Sequence, residues 1–192
     1  MKGVVFKEFE EFVRLSFGDE LFETVLDSTE LESQPPFLGP TSYPDADLFA
    51  LVGTTLQHVG VPLEDALQAF GQHLFDALIR GFPEAVDEHT DLRSFLQTVH
   101  SVIHVEVRKL LPGAETPEFA FEDLEDGKLR MQYRSRRKLC ALARGLLDGA
   151  ARSFGTELHA TETHCMNDGH DCCEFVLTLA QGPPLQGARS PE

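Results

Sequence analysis

The stretch EFAFEDLEDGKLRMQYRS, residues 118–135, decides the fold class of this 192-residue chain. Apolar and polar residues alternate on both sides of Asp126-Gly127, and Asp-Gly is a dipeptide that favours the tight turn of a β-hairpin. A second pair of strands is predicted near 156–164 and 172–180, joined by CMNDGHD. We therefore expect two antiparallel hairpins in the second half of the chain.

Helical periodicity is found before the first hairpin and between the two hairpins. Apolar residues recur there at spacings of three and four, and Gly18, Gly60 and Gly155 follow three of these segments as stop signals. The predicted helices cover residues 2–17, 20–31, 44–60, 62–80, 91–110 and 139–154. Helices and antiparallel strands that are segregated along the chain indicate an α+β fold.

One domain is expected over residues 1–180, because the chain is too short for two ordinary domains and a linker. In this interpretation a helical N-terminal subdomain, about 1–60, packs on a C-terminal subdomain, about 61–180, which holds a four-stranded antiparallel sheet and helices. The tail QGPPLQGARSPE, residues 181–192, is polar and rich in Pro and Gly, so it is predicted to be disordered.

The charge balance excludes several classes of partner. Lys and Arg total 16 against 32 Asp and Glu, and the resulting net charge of −16 disfavours nucleic acid and anionic membranes. No apolar run approaches the roughly 20 residues of a membrane span. The start of the sequence, MKGVVFKEFEEF, carries charges that a signal peptide lacks. We therefore expect a cytoplasmic protein with no membrane partner.

A local basic cluster stands out against this acidic background, with six of the 16 basic residues between 128 and 138. Tyr133, Ser135 and Arg137 are spaced by two, so on an extended strand their side chains share one face. Two hydroxyls and a planar guanidinium suit a pair of carboxylates. Arg134 and Arg136 alternate to the other face and are expected in solvent. The alternative interpretation is a basic surface that pairs with the protein's own acids.

His104 lies at the edge of the apolar stripe of helix 91–110, where it can point inward. A neutral imidazole is a common ligand for haem iron and for zinc, although a histidine that merely packs gives the same pattern. His100 and His104 also form an i, i+4 pair, the spacing of two metal ligands on one helix face. A metal-dependent enzyme at this pair is disfavoured, because no Glu follows His100 to serve as a base.

The four cysteines are clustered toward the C-terminus, which in a reducing compartment indicates metal ligation rather than a disulfide framework. Cys140, Cys165 and Cys173 with one neighbouring histidine make a tetrahedral zinc site. Cys172 points to the opposite face of the strand from Cys173 and is not expected to bind the same ion. Cysteines that act as small apolar residues, or a catalytic Cys/His pair, are the alternatives.

Five segments of the chain together resemble the haem nitric oxide/oxygen binding (H-NOX) domains, and the resemblance extends to about residue 180. The most specific element is Tyr-x-Ser-x-Arg placed some thirty residues after a helix histidine. The segments are MKGVVF at 1–6, YPDADLFALV at 43–52, FGQHLF at 70–75, IHVEVRKLLPGAETPEF at 103–119 and YRSRR at 133–137.

The resemblance implies that haem b lies between the two subdomains. It implies His104 as the proximal iron ligand, and Tyr133, Ser135 and Arg137 as the residues that hold the haem propionates. It further implies that Pro117 presses on the porphyrin and that three apolar side chains wall the pocket, namely Val5, Leu142 and Leu146.

The resemblance also predicts which gas is bound. Leu142 occupies the position of a distal tyrosine in relatives that retain O₂, and the chain has no Trp and two Tyr, at 43 and 133. We therefore expect an apolar distal pocket that binds NO and CO and excludes O₂, with His58 and His73 as the remaining candidate donors.

The resemblance implies a sensor and not an enzyme. NO is expected to release His104 from the iron, and the signal then passes to a separate partner, a sensor histidine kinase or a cyclic-di-GMP enzyme. A zinc-stabilised interaction module without haem is the alternative function.

Some H-NOX relatives carry zinc near the C-terminus, held by three cysteines and a histidine. Cys140, Cys165 and Cys173 match the three cysteines, but the place of the histidine holds Glu162. We predict His164 as the substitute ligand. His170 and Cys172 are the alternatives for this fourth position.

Overall fold

The fold was analysed in a computed structural model that describes residues 1–181. Four helices form the first part of the chain: α1 (Gly3–Phe17), α2 (Asp19–Ser28), α3 (Asp45–Val59) and α4 (Leu63–Gly81). A short helix α5 (Glu84–Asp87), which the sequence pattern did not predict, follows. Gly18 separates α1 from α2 with φ of 94°, and Gly60 ends α3 with φ of 69°, as the stop signals predicted.

The helix predicted over 91–110 is present but is not uniform. It consists of α6 (Leu92–Thr98), a π-helical segment (Val99–Ile103) and α7 (His104–Leu110). The Asp91 side chain caps α6 by accepting a hydrogen bond from the Ser94 amide at 2.8 Å. The π-helical segment was not predicted, and it ends directly before His104.

The four predicted strands form one antiparallel sheet in the order β1-β2-β4-β3. Its members are β1 (Glu118–Asp123), β2 (Leu129–Arg134), β3 (Thr156–His164) and β4 (Cys173–Gln181). Asp126 and Gly127 both have left-handed φ, of 68° and 73°, as the hairpin requires. Helix α8 (Cys140–Ser153) connects the two hairpins. The α+β prediction is confirmed.

Two buried clusters of apolar side chains divide the molecule. The first, here called the helical cluster, is formed by α1, α2, α3 and part of α4, and it includes Phe6, Val13 and Leu51. The second, the sheet cluster, packs α6 and α8 against the sheet and includes Leu129 and Phe175. Helix α4 contributes to both clusters, so the subdomain boundary near residues 60 and 61 stays a prediction.

Close packing of α4 on α8 depends on glycine. A Cβ at Gly145 would lie 2.0 Å from the Gln68 carbonyl oxygen, and one at Gly71 would lie 2.4 Å from the Leu142 carbonyl oxygen. The two backbones therefore approach more closely than any other residue type allows. This approach fixes where Leu142 and Leu146 stand relative to α4.

Within residues 1–181, no helix combines the length and the apolar character of a membrane span. The predicted disordered tail lies outside the described residues, apart from Gln181, which is the last residue of β4.

Candidate functional site

His104 is the first residue of α7, and its ring is fixed by a backbone carbonyl. The Nδ1 atom lies 3.0 Å from the Pro117 oxygen. A carbonyl oxygen can only accept, so Nδ1 carries the proton and Nε2 is left with a lone pair. Burial lowers the pKa of His104 to about 4, with smaller contributions from His100 and Arg108, while the bond to Pro117 acts in the opposite direction. The ring is therefore neutral near pH 7 and able to bind a metal through Nε2.

The π-helical segment gives the turn before His104 one extra residue compared with an α-helix. Segments of this kind are frequent at functional sites. Its β-branched residues, Val99, Val102 and Ile103, have lower helix propensity and are the only sequence signal for it.

Phe119 is a member of this site that the sequence reasoning missed. Its ring centroid lies 5.6 Å from the His104 ring and 5.5 Å from the Tyr133 ring. The available signal was the register of the first hairpin, in which Phe119 pairs with Tyr133. The Phe119 amide also donates to Nδ1 of His100 at 3.3 Å. His100 thus attaches the helix to β1, and the described structure gives no support for the His100/His104 metal pair.

Exposure alternates along Tyr-x-Ser-x-Arg, but β2 ends at Arg134, so Ser135 and Arg137 lie in the turn after the strand and not on one strand face as predicted. Tyr133 is only 3% exposed, and burial raises its pKa, while hydrogen bonding with Ser135 and the Leu139 backbone acts in the opposite direction. The Ser135 hydroxyl accepts a hydrogen bond from the Arg137 amide at 3.2 Å. Arg134 and Arg136 are exposed, the latter side chain by 91%. Tyr133, Ser135 and Arg137 therefore lie inward of their basic neighbours.

Arg137 is paired with acids of the protein itself, as the alternative interpretation of the basic cluster predicted. Its Nε donates to Asp45 Oδ2 at 2.6 Å and its Nη2 to Asp45 Oδ1 at 3.1 Å. Glu115 accepts from Nη1 through its backbone oxygen at 2.8 Å and from Nη2 through its side chain at 3.2 Å. The Glu115 side chain is 59% exposed, so its hydrogen bond with Arg137 Nη2 is the contact that another carboxylate can most easily replace.

Asp45 stands in the first turn of α3 and joins this network to the helical cluster. Burial acts to raise its pKa, but hydrogen bonds from Arg137 and from the terminal amine of Met1 hold the pKa of this carboxyl below its usual value. A guanidinium has five N–H donors. One Nη1 donor of Arg137 has no acceptor among residues 1–181, and the Glu115 side chain can give up another donor to an incoming carboxylate.

Val5, Leu142 and Leu146 are half-buried apolar residues beside the helical cluster. All three pack against the helical cluster, and Leu146 packs against the sheet cluster as well. Of the candidate polar donors, His58 is exposed at the end of α3. His73 lies against Phe12, with its Nε2 3.4 Å from a carboxylate oxygen of Glu8 on α1.

Tyr43 is likewise engaged elsewhere. Its hydroxyl accepts a hydrogen bond from the Leu38 amide at 2.8 Å, and its ring packs on Phe6 and Phe37. Of the side chains considered as O₂ donors, His58 is therefore exposed and Tyr43 is hydrogen-bonded, whereas the buried Nε2 atom of His73 makes no hydrogen bond within the described residues.

A second group of potential ligands lies where α8 begins beside β3 and β4. The thiols of Cys140, Cys165 and Cys173 and a carboxylate oxygen of Glu162 all lie within 4.8 Å of one another. The sulfur of Cys165 is 3.6 Å from that of Cys140 and 3.9 Å from that of Cys173, and all three cysteines are free. Burial and the neighbouring thiols raise the pKa of both Cys140 and Cys173. A bound cation relieves this crowding by stabilising the thiolates.

The structure does not bring His164, the predicted fourth ligand, to the thiols. A β-bulge lies between Glu162, which is opposite Phe175, and His164, which is opposite Glu174. Because Phe175 and Glu174 face opposite sides of the sheet, the bulge turns Glu162 toward the thiols and His164 away from them. His164 packs on His170, with ring centroids 4.8 Å apart. His170 and Cys172 are not members of the group either.

Comparison with known proteins places these features in context. The model of the family described as Haem-NO-binding matches residues 2–162. The structure of an H-NOX protein from Shewanella oneidensis in the Fe(II)NO ligation state is 31% identical, with a TM-score of 0.88, and the match covers 94% of this chain and 99% of that one. An IWP-051-bound H-NOX from Shewanella woodyi in the Fe(II)CO ligation state is 35% identical, with a TM-score of 0.82 and coverage of 98% and 100%.

A more distant relative is a soluble guanylate cyclase, gcy-35, from Caenorhabditis elegans. It is 26% identical over 171 residues, which are 82% of this chain. The chain spans only 24% of the length of that relative.

Proposed function

Because this chain belongs to the Haem-NO-binding (H-NOX) family, a family of haem-based gas sensors, we propose that it binds haem b through His104 and senses NO. CO is the second ligand, and O₂ is poorly retained. When bound, ferrous haem supplies the iron at which these gases coordinate.

One observation carries the assignment of the iron ligand. The Pro117 carbonyl holds the Nδ1 proton of His104, so the ring presents Nε2 in the neutral form that binds iron. The same contact brings Pro117 beside the ligand, which supports its assignment as the residue against the porphyrin. Phe119 packs on the His104 ring and limits its rotation.

The carboxylate end of the haem is assigned to Tyr133, Ser135 and Arg137. All three are less exposed than Arg134 and Arg136, and the remaining Arg137 donors are compatible with a propionate. In this proposal the Asp45 ion pair stays in place, and a propionate takes over the contact that the exposed Glu115 side chain now makes.

Exclusion of O₂ follows from the walls of the pocket. Bound O₂ is polarised and is retained when a hydrogen-bond donor reaches it, whereas NO and CO depend less on such a donor. Val5, Leu142 and Leu146 offer no donor, His58 is exposed, and the Tyr43 hydroxyl is hydrogen-bonded to the Leu38 amide. His73 faces Phe12 and Glu8 of α1. A stable oxy spectrum in air would contradict this part of the proposal.

Signalling is assigned to the helix that carries His104. His104 would hold the haem iron, and its release from the iron would leave α7 and the preceding π-helical segment free to shift against β1. The partner protein that responds to this shift is proposed to be a separate sensor histidine kinase or cyclic-di-GMP enzyme. The domain itself is proposed to have no catalytic turnover.

The test is spectroscopic. The purified chain should show an intense Soret band and a five-coordinate ferrous spectrum. His104→Gly should lose haem or bind it only when imidazole is supplied, whereas the matched variant His100→Gly on the same helix should keep the wild-type spectrum. A colourless protein that cannot be reconstituted with haem would instead support the zinc-stabilised interaction module.

A further inference from the structure

We propose a divalent metal site between α1 and α4, with Glu8, Glu11 and His73 as its protein ligands. The ion is zinc or a similar divalent transition ion, and water completes its coordination. This α1–α4 site shares no residue with the proposed haem site or with the thiol group at the start of α8. The assignment therefore does not depend on the proposed haem function.

Three ligand atoms of suitable chemistry converge at the α1–α4 site. One carboxylate oxygen of Glu8, one carboxylate oxygen of Glu11 and one ring nitrogen of His73 all lie within 4.8 Å of one another. Imidazole and carboxylate groups are both ligands that zinc and related transition ions accept. Zinc is also commonly held by three protein ligands with a water molecule in the fourth position. The three side chains can therefore bind one ion through two oxygens and one nitrogen.

The two helices bring these side chains together. Glu8 and Glu11 are three residues apart on α1, so their side chains are neighbours on one face of that helix. His73 lies on α4, which packs against α1. Its ring packs on the rings of Phe12 and Phe70, with centroids 5.7 and 6.5 Å away. These aromatic contacts orient the imidazole before any ion binds.

Two atoms of the α1–α4 site are buried without a partner. Within residues 1–181, neither His73 Nε2 nor Glu8 Oε2 makes a hydrogen bond, although both atoms are shielded from solvent. A buried polar atom without a hydrogen bond is costly, above all when it belongs to a carboxylate. The two atoms lie 3.4 Å apart. Two donor atoms that are each roughly 2.0–2.2 Å from a tetrahedral zinc ion are about 3.4 Å apart, so their spacing fits one shared ion.

Arg80 is the other cation near these carboxylates. Its Nη2 atom lies 4.0 Å from Glu8 Oε2 and 3.8 Å from Glu11 Oε1. Both distances are too long for a hydrogen bond, and the Arg80 side chain is 60% exposed. The guanidinium therefore offsets part of the negative charge but leaves the buried Glu8 oxygen without a partner. The Glu11 side chain is 50% exposed, so it can turn toward an ion without disturbing the core.

A proton on His73 is the alternative to a metal ion. The imidazolium would then form an ion pair with Glu8, but the 3.4 Å contact between them lacks the alignment of a hydrogen bond. The two interpretations differ in what they require of Glu11. An ion pair between His73 and Glu8 needs no contribution from Glu11, whereas a metal ion needs its carboxylate as the third ligand.

Equilibrium dialysis of the purified chain against zinc, followed by metal analysis, tests the assignment. The wild-type chain should bind one zinc ion more than His73→Ala. Because the thiols are the same in both chains, this difference reports on the α1–α4 site alone. Zinc-edge X-ray absorption of the wild type should show imidazole scattering that is absent from His73→Ala.

Two further variants keep the shape of the ligand side chains. Glu8→Gln and Glu11→Gln should each weaken binding of the additional ion by about tenfold or more, because even the loss of a residue that only orients a metal ligand has an effect of this size. Equal zinc uptake by the wild type and His73→Ala would overturn the assignment. So would wild-type affinity for the additional ion in Glu11→Gln.

Matched controls are available on both helices. Glu10→Gln removes a neighbouring carboxylate of α1 that pairs with Arg14, and Arg80→Gln removes the guanidinium of α4. Both variants should keep the additional ion, and circular dichroism verifies that each variant is folded. Loss of the ion in Glu10→Gln would also overturn the assignment, because zinc would then respond to the overall charge of α1 rather than to these three ligands.

Discussion

Arg137 donates to both carboxylate oxygens of Asp45, at 2.6 Å from Nε and 3.1 Å from Nη2. This pair joins the segment after β2 to the first turn of α3, so it connects the sheet half of the molecule to the helical half. The Arg137 side chain is 13% exposed, and few waters can replace the carboxylate if it is removed.

Asp45→Asn should therefore destabilise the chain. One acceptor oxygen remains, but the half-buried guanidinium loses its charged partner, and we expect a loss of about 1 to 2 kcal/mol in the free energy of unfolding. Urea denaturation measures this change. The matched variant Glu115→Gln removes the exposed partner of the same guanidinium and should cost less than about 1 kcal/mol. Equal losses in the two variants would contradict this ranking.

The haem-free chain should lose stability as the pH falls from about 6.5 toward 4. The folded-state pKa of His104 is about 4, below its value of about 6.5 in an unfolded chain, so the unfolded state binds the proton first. The stability contribution of a neutral His104 is complete above pH 6.5 and declines through this window. Urea denaturation at several pH values measures the decline in the free energy of unfolding. His104→Gln should make this decline shallower, whereas His100→Gln should show the same decline as the wild type.

Tyr133→Phe should weaken the hold on haem while the fold persists. The ring and its contact with Phe119 remain, and only the hydroxyl assigned to a propionate is lost. We expect the rate of haem transfer to apomyoglobin to rise severalfold, because one hydrogen bond contributes a net stabilisation of about 0.5 to 1.5 kcal/mol. Arg136→Ala, at an exposed position of the same segment, should leave the rate unchanged. An unaltered rate in Tyr133→Phe would remove this residue from the propionate site.

Leu142→Tyr should convert the pocket to one that retains O₂. The new hydroxyl supplies the hydrogen-bond donor that the apolar walls lack, and bound O₂ is stabilised by this donor because it is polarised. The ferrous protein should then give an oxy spectrum in air. Leu142→Phe adds the same ring without the hydroxyl and should not retain O₂. If both variants behaved alike, pocket size rather than hydrogen bonding would control the ligand.

The strands, the main helices and the α+β class could be predicted because each depends on local periodicity. The alternation around Asp126-Gly127 and the stripe of 91–110 are visible in the sequence alone. The π-helical segment and the β-bulge before His164 could not be predicted, because the first interrupts the helix for only five residues and the second lies at the very end of β3, so too few residues follow to change the pattern visibly.

The bulge has a direct effect on the predicted ligands. A regular strand places Glu162 and His164 on one face, so the sequence pattern alone does not show that only Glu162 reaches the thiols. The Asp45–Arg137 pair spans 92 residues and has no local signal at all. Contacts of this kind are decided by how the two halves of the molecule meet.

Tyr133 occupies an interior strand and is matched on one side to Phe119 and on the other to Cys173. Sliding β2 by a single residue would invert its inward face, so the ring beside His104, the hydroxyl and the thiol would all lose their alignment together. The spacing between the ring beside the iron ligand, the Tyr133 hydroxyl and Cys173 is thus set by backbone hydrogen bonding in the sheet rather than by flexible connections. Substitutions in the surrounding loops can leave that spacing unchanged, whereas an insertion within β2 would change it.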